Sequence, residues 1–128
     1  MKKLLTFLAT AILSASAYAG EYPDISITEL KSAIESKKVT VIDVNGSDSY
    51  KKGHVPGAVD FASKKAEFAK VLPGDKNALV VAYCGGPTCG AYAAAAKAAK
   101  ELGYTNVKHM SAGISGWMQA GEKTEKAE

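Results

Sequence analysis

The chain has 128 residues, a formal net charge of +3 at pH 7 and a hydrophobic fraction of 47%. That length suits one domain with its own core, and near-balanced charge without a basic stripe argues against a nucleic-acid partner. All sixteen cationic side chains are lysines, so the chain lacks the planar guanidinium fork that grips sulfonate or phosphate in two places.

The chain opens with Lys2 and Lys3, an apolar run of ten from Leu4 to Leu13, and a small-x-small site at Ala17-Tyr18-Ala19. This is the layout of a cleaved secretory signal over residues 1–19, and the run is too short for the ~20 apolar residues of a bilayer span. The expectation is a periplasmic or secreted protein with no membrane attachment after cleavage. Losing two lysines and no acid brings its charge close to neutral. Residues 20–121 then form one domain, and 122–128 read as a frayed polar tail.

Within the domain, Ile25-Ser26-Ile27 is a short extended piece. Thr28–Ser36 reads as a helix with Leu30, Ala33 and Ile34 on one face, and Ser26 with Glu29 has capping-box spacing. Val39–Val44 is a buried strand and Asn45–Tyr50 a polar turn. Val55–Phe61 holds the Pro56-Gly57 bend and a short strand. Ser63–Leu72 is an amphipathic helix stopped by Pro73-Gly74. Ala78–Tyr83 is the most hydrophobic strand, and Gly90–Leu102 an alanine-rich helix ended by Gly103. Asn106–Met110 is a last strand and Ser115–Ala120 a last helix. Near-continuous apolar strands alternating with helices predict an α/β fold, a parallel sheet covered on both faces. Its reactive crevice belongs at the carboxyl ends of the strands.

Cys84 stands at such an end, in Tyr83-Cys84-Gly85-Gly86-Pro87-Thr88-Cys89-Gly90. A glycine-rich turn between a strand and a helix lets backbone N–H groups point inward, and the helix start adds partial positive charge. Both favour a thiolate, the nucleophilic form, and would equally stabilise a persulfide anion. The bland alternative is an inert buried cysteine beside an ordinary turn. Cys84 and Cys89 are the two cysteines of the chain. A bridge between them would close a loop so small that its entropic stabilisation falls below the ~3 kcal/mol of a 15-residue loop. Chemistry at the loop explains the pair better than a structural staple.

Four segments, in order, carry a resemblance to the single-domain rhodaneses: Val41-Ile42-Asp43-Val44, Gly53-His54-Val55-Pro56-Gly57-Ala58, Cys84 with its six-residue loop, and Gly113-Ile114-Ser115-Gly116-Trp117. The resemblance spans about Ile25 to Gly121. It implies a five-stranded, mainly parallel sheet flanked by helices on both faces, and sulfur transfer through a persulfide on Cys84. It further implies a substrate-binding loop of Gly85, Gly86, Pro87, Thr88, Cys89 and Gly90. Two positions depart from the family pattern: Asn45 and Cys89 stand where the family often has a basic residue. A thiosulfate sulfonate therefore has no arginine clamp, which favours polysulfide or persulfide donors. Phosphatases of related fold need a longer loop ending in arginine, and this chain has none.

Asp43 is expected to hold backbone groups at its strand end, and His54 to pin its turn rather than act as a base. His109 is expected to have a surface or packing role, and Trp117, with Ile114 and Met118, to pack the last helix onto the core. Two cysteines with two distant histidines lack zinc-site spacing, and no cofactor is expected. The expected partners are a small sulfane-sulfur donor and a thiol or protein acceptor. Three functions compete: a sulfurtransferase or sulfur carrier, a thiol–disulfide redox or sensing module using Cys84 and Cys89, and a non-catalytic binding module on the same scaffold.

Overall fold

The computed structural model of the chain describes residues 22–127, so the expected signal segment 1–19 lies outside the described residues. Four parallel strands form the sheet: β1 (Val39–Asp43), β2 (Val59–Asp60), β3 (Leu79–Tyr83) and β4 (Val107–His109), in the order β2-β1-β3-β4. β1 and β3 pair along their whole length, from Val39 opposite Leu79 to Asp43 opposite Tyr83. Ala82 in turn lies opposite His109. The helices are α1 (Ile27–Glu35), α2 (Ser47–Lys52), α3 (Phe61–Lys64), α4 (Phe68–Val71), α5 (Tyr92–Glu101) and α6 (Gly113–Gln119).

The period of two along a strand sorts the core into two layers. Ile42, Val80, Ala82 and Cys84 face one side, packed with Phe61, Phe68 and Leu72 and with Tyr92, Ala95, Ala96 and Ala99 of α5. Val41, Val81 and Tyr83 face the other, packed with Leu30 of α1, Val55, Met110 and Trp117 of α6. Alanines give α5 its buried face, so the helix lies close against β3. Helices on both faces are as the sequence led one to expect.

Several boundaries differ from expectation. The fifth strand is reduced to a single bridge: Ile25 donates to the His109 carbonyl at 2.9 Å, and His109 donates to Pro23 at 2.8 Å. Pro23 has no N–H to extend the ladder. On the other side, Ser26 is taken as the cap of α1, where it and Glu29 form the expected capping box. The polar turn at Asn45–Tyr50 becomes α2 from Ser47 onward. The helix expected over Ser63–Leu72 is broken into α3, a 3-10 turn at Lys65–Glu67 and α4. A continuous helix would also set Phe61 and Phe68, seven residues apart, on one face; with the break the two rings meet edge to face, centroids 5.0 Å apart.

The polar tail also departs from expectation, because residues 122–127 are stitched to the domain. His54 and Glu125 exchange two backbone hydrogen bonds of 2.9 Å, and Ala127 donates to the Lys51 carbonyl. The Trp117 indole donates to the Lys123 carbonyl at 2.7 Å, and Glu122 pairs with Lys31 at 3.1 Å. No helix among the described residues is long and apolar enough to cross a membrane.

Candidate functional site

Cys84 follows directly on β3 and is 1% exposed. The structure joins it to Cys89 by a disulfide with the Cα atoms 6.3 Å apart, inside the range that disulfides span without backbone movement. A turn between the two is closed by the Cys89 N–H donating to the Gly86 carbonyl at 3.1 Å. That donor therefore does not point into the cradle, unlike the inward row of N–H groups expected from the sequence. Helix α5 begins at Tyr92 rather than Gly90, after two tight bonds from Ala93 to Gly90 and from Ala94 to Ala91.

The other wall of the loop is the start of α6. Ile114 donates to the Cys84 carbonyl at 2.9 Å and Ser115 to the Gly85 carbonyl at 3.0 Å. These bonds satisfy the Cys84 and Gly85 carbonyls. Gly113 makes the approach possible: its φ is +67°, and a Cβ there would sit 2.5 Å from the Gly85 carbonyl carbon and from the Gly86 nitrogen. The Asn45 side chain also approaches the loop, its Oδ1 3.9 Å from where a Gly85 Cβ would stand. A depression of about 190 Å³ beside the loop is lined by Asn45, Ser49, Lys52, Gly53, Ile114 and Met118. None of Gly85, Gly86, Pro87, Thr88, Cys89 and Gly90 carries a charge.

Below the loop, Asp43 is fully buried and accepts from the Tyr83 hydroxyl at 2.6 Å and the Asn45 N–H at 2.8 Å. The Tyr83 hydroxyl itself accepts from the Val55 N–H at 3.0 Å. Burial raises the Asp43 carboxyl above its ordinary range, and the two hydrogen bonds partly offset this. The Tyr83 phenol is pushed far up by burial and by the adjacent carboxylate. His54 stacks on Tyr50 with ring centroids 3.7 Å apart, and its Nδ1 lies 2.7 Å from the Tyr50 carbonyl. Its Nε2 is 3.9 Å from the Glu125 carboxylate. Asp43 and His54 thus hold the β1–α2–β2 connection. Of the two partners of Asp43, one is a backbone group, the Asn45 N–H, and the other a side chain, Tyr83.

Tyr83 was missed by sequence reading as a supporting residue. Its signal was its place next to Cys84: in a strand, the neighbour of an inward-facing residue points to the opposite layer. The sequence marks Gly113, Ile114 and Ser115 by their motif alone; the close approach of Gly113 to Gly85 and the bonds of Ile114 and Ser115 to the Cys84 and Gly85 carbonyls are long-range. Of the surface and packing roles open to His109, the structure shows packing: it is buried and stacked on Tyr92 at 3.4 Å, and burial lowers its pKa.

The Tyr83–Asp43 pair has a checkable consequence. A carboxyl whose folded pKa is raised contributes stability that is fully present below its unfolded pKa and is lost as pH rises through the folded value. The Tyr83 hydroxyl counters that loss by donating to the ionised form. Tyr83→Phe is expected to cost about 1–3 kcal/mol for each buried partner left unpaired. Urea unfolding should show a larger loss at neutral pH than in acid, where Asp43 is protonated. An equal loss at both would remove the carboxylate from the explanation.

Comparison with known proteins gives a consistent picture. The profile of the rhodanese-like domain family matches residues 26–120. The chain is 33% identical to an HTH-type transcriptional regulator of Mycobacterium tuberculosis, over 89% of this chain and 50% of that protein. It thus spans about half the length of that relative. It is 28% identical to the thiosulfate sulfurtransferase GlpE of Pseudoalteromonas translucida, over 82% of this chain and 98% of that protein. Among solved structures, a thiosulfate sulfurtransferase from Pseudomonas aeruginosa superposes with a TM-score of 0.69 at 23% identity, covering 98% of this chain and 25% of that one. That likeness is one of fold.

Proposed function

The chain belongs to the rhodanese-like domain family, and from that membership we propose that it is a sulfurtransferase or sulfur carrier moving sulfane sulfur through a persulfide on Cys84. The observation that carries the reading is the position of Cys84: at the carboxyl end of β3, opening a loop fixed on one side by the start of α6. The sulfurtransferase relatives at low identity support the same chemistry.

In this reading the reduced Cys84 thiolate attacks the outer sulfur of a donor. The donor's S–S bond breaks, and the shortened donor leaves with the electron pair. An acceptor thiolate or cyanide then attacks the outer sulfur of the Cys84 persulfide, which restores the thiolate. His54 and Asp43 take no proton in this cycle and hold the scaffold. The amino-terminal pattern of Lys2, Lys3 and Leu4–Leu13 supports export as part of the same proposal. An oxidising compartment then favours the closed pair at rest.

The donor is a polysulfide or persulfide in preference to thiosulfate. The loop offers no cation to the sulfonate, and the nearby depression has one, Lys52, which acts as a point charge. A missing charge-assisted hydrogen bond amounts to about 1.5–3 kcal/mol, or roughly a ten- to hundredfold difference in rate constant. Steady-state kcat/KM on reduced protein should favour polysulfide by that order. A preference for thiosulfate would refute the assignment. The disulfide itself supports a second reading, a thiol–disulfide module without sulfur transfer. The serine and mass measurements below separate the two.

A further inference from the structure

Resting on the persulfide reading above, we propose that Cys89 is the resolving residue of this site. It discharges the Cys84 persulfide as hydrogen sulfide and leaves the Cys84–Cys89 disulfide. The protein would then release sulfide at the expense of a dithiol reductant, in addition to passing sulfur to an acceptor.

The geometry points to Cys89 for three reasons. It stands at the position where the loop could have carried a cation for an oxyanion donor, and the chain puts a second nucleophile there. The turn closed by Cys89 N–H and the Gly86 carbonyl holds it with its Cα 6.3 Å from that of Cys84, so the attack needs no refolding of the loop. Cys89 also packs against the same core layer as Cys84, partly shielded from competing solvent thiols. At such a separation the second thiol acts at an effective concentration far above that of free thiols.

The steps balance. The Cys84 thiolate takes the outer sulfur of an organic persulfide, whose thiolate leaves. The Cys89 thiolate then attacks Sγ of Cys84. The bond from that Sγ to the outer sulfur breaks, and the outer sulfur leaves as hydrosulfide. A dithiol reduces the resulting disulfide, taking its place as the oxidised partner. Net, the persulfide is reduced by two electrons to thiol and sulfide.

The test uses reduced wild type, Cys89→Ala and Cys84→Ser, freed of reductant and treated with glutathione persulfide. Sulfide release is read above the Cys84→Ser background, and adducts are read by intact mass. Wild type should release one equivalent of sulfide, lose two hydrogens and keep no adduct. Cys89→Ala should keep a single extra sulfur on Cys84. Added dithiothreitol should give repeated turnover in wild type, with at least about a tenfold lower rate in Cys89→Ala, reflecting the lost effective concentration. Wild type that retains the extra sulfur as the variant does would overturn the role of Cys89 and leave the persulfide reading intact. A glutathione adduct on Cys89→Ala, or no sulfur uptake by it, would instead overturn the persulfide reading itself, and this inference with it.

Discussion

Cys84→Ser is expected to abolish sulfur transfer, by a factor on the order of a thousand or more, and to leave the fold in place. A serine hydroxyl is barely ionised near neutral pH and cannot carry a sulfane sulfur. The structural cost is modest. The side chain is 1% exposed, so the new hydroxyl costs on the order of 1–3 kcal/mol. The disulfide that is lost closes a very short loop, whose entropic contribution is below about 3 kcal/mol. Circular dichroism and urea unfolding would report the fold, and thiocyanate formation from polysulfide and cyanide would report transfer. Retained activity in a folded serine variant would move the chemistry elsewhere.

Gly113→Ala should damage both stability and activity. The added methyl would meet the Gly85 carbonyl carbon and the Gly86 nitrogen at 2.5 Å. These are backbone atoms that no rotamer change can clear. The positive φ of Gly113 adds about 1–2 kcal/mol for a residue with a Cβ, and overpacking typically adds about 1–3 kcal/mol more. The loop must move away from α6, loosening the bonds from Ile114 and Ser115 to Cys84 and Gly85. A displacement of about 1 Å at a reacting centre can cost roughly a hundredfold in rate. The variant is therefore expected to unfold at lower urea and, at permissive temperature, to transfer sulfur far more slowly. Wild-type activity with lowered stability would mean that α6 supports the loop without positioning its sulfur.

Much of this arrangement was legible in the sequence because it follows from local rules. The near-continuous apolar run at Ala78–Tyr83 yields the central buried strand β3, with Cys84 at its carboxyl end. The Ser26–Glu29 spacing yields the capping box of α1. Gly103, with φ +100°, follows the end of α5 as expected. What escaped depends on residues far apart in the chain. The helix expected after Phe61 breaks at Lys65–Glu67, and the edge-to-face contact of Phe61 with Phe68 is a tertiary one. The last residues look like a solvated run by composition, yet their backbone pairs with His54 and Lys51 across some seventy positions of sequence. The same holds for the site: Cys84 and its glycines announce themselves, whereas the clamp of Gly113 against Gly85 and the buried Tyr83–Asp43 pair are tertiary facts.

The central claim is that Cys84 both accepts and gives up sulfane sulfur. Its most direct test is a two-step single turnover on Cys89→Ala, which leaves Cys84 as the one remaining thiol. The reduced variant is loaded with polysulfide, desalted, and then mixed with cyanide. The account predicts the mass of one extra sulfur after loading, then one equivalent of thiocyanate and return to the original mass. A protein that takes up no sulfur, or that holds the sulfur without yielding it to cyanide, would contradict the account.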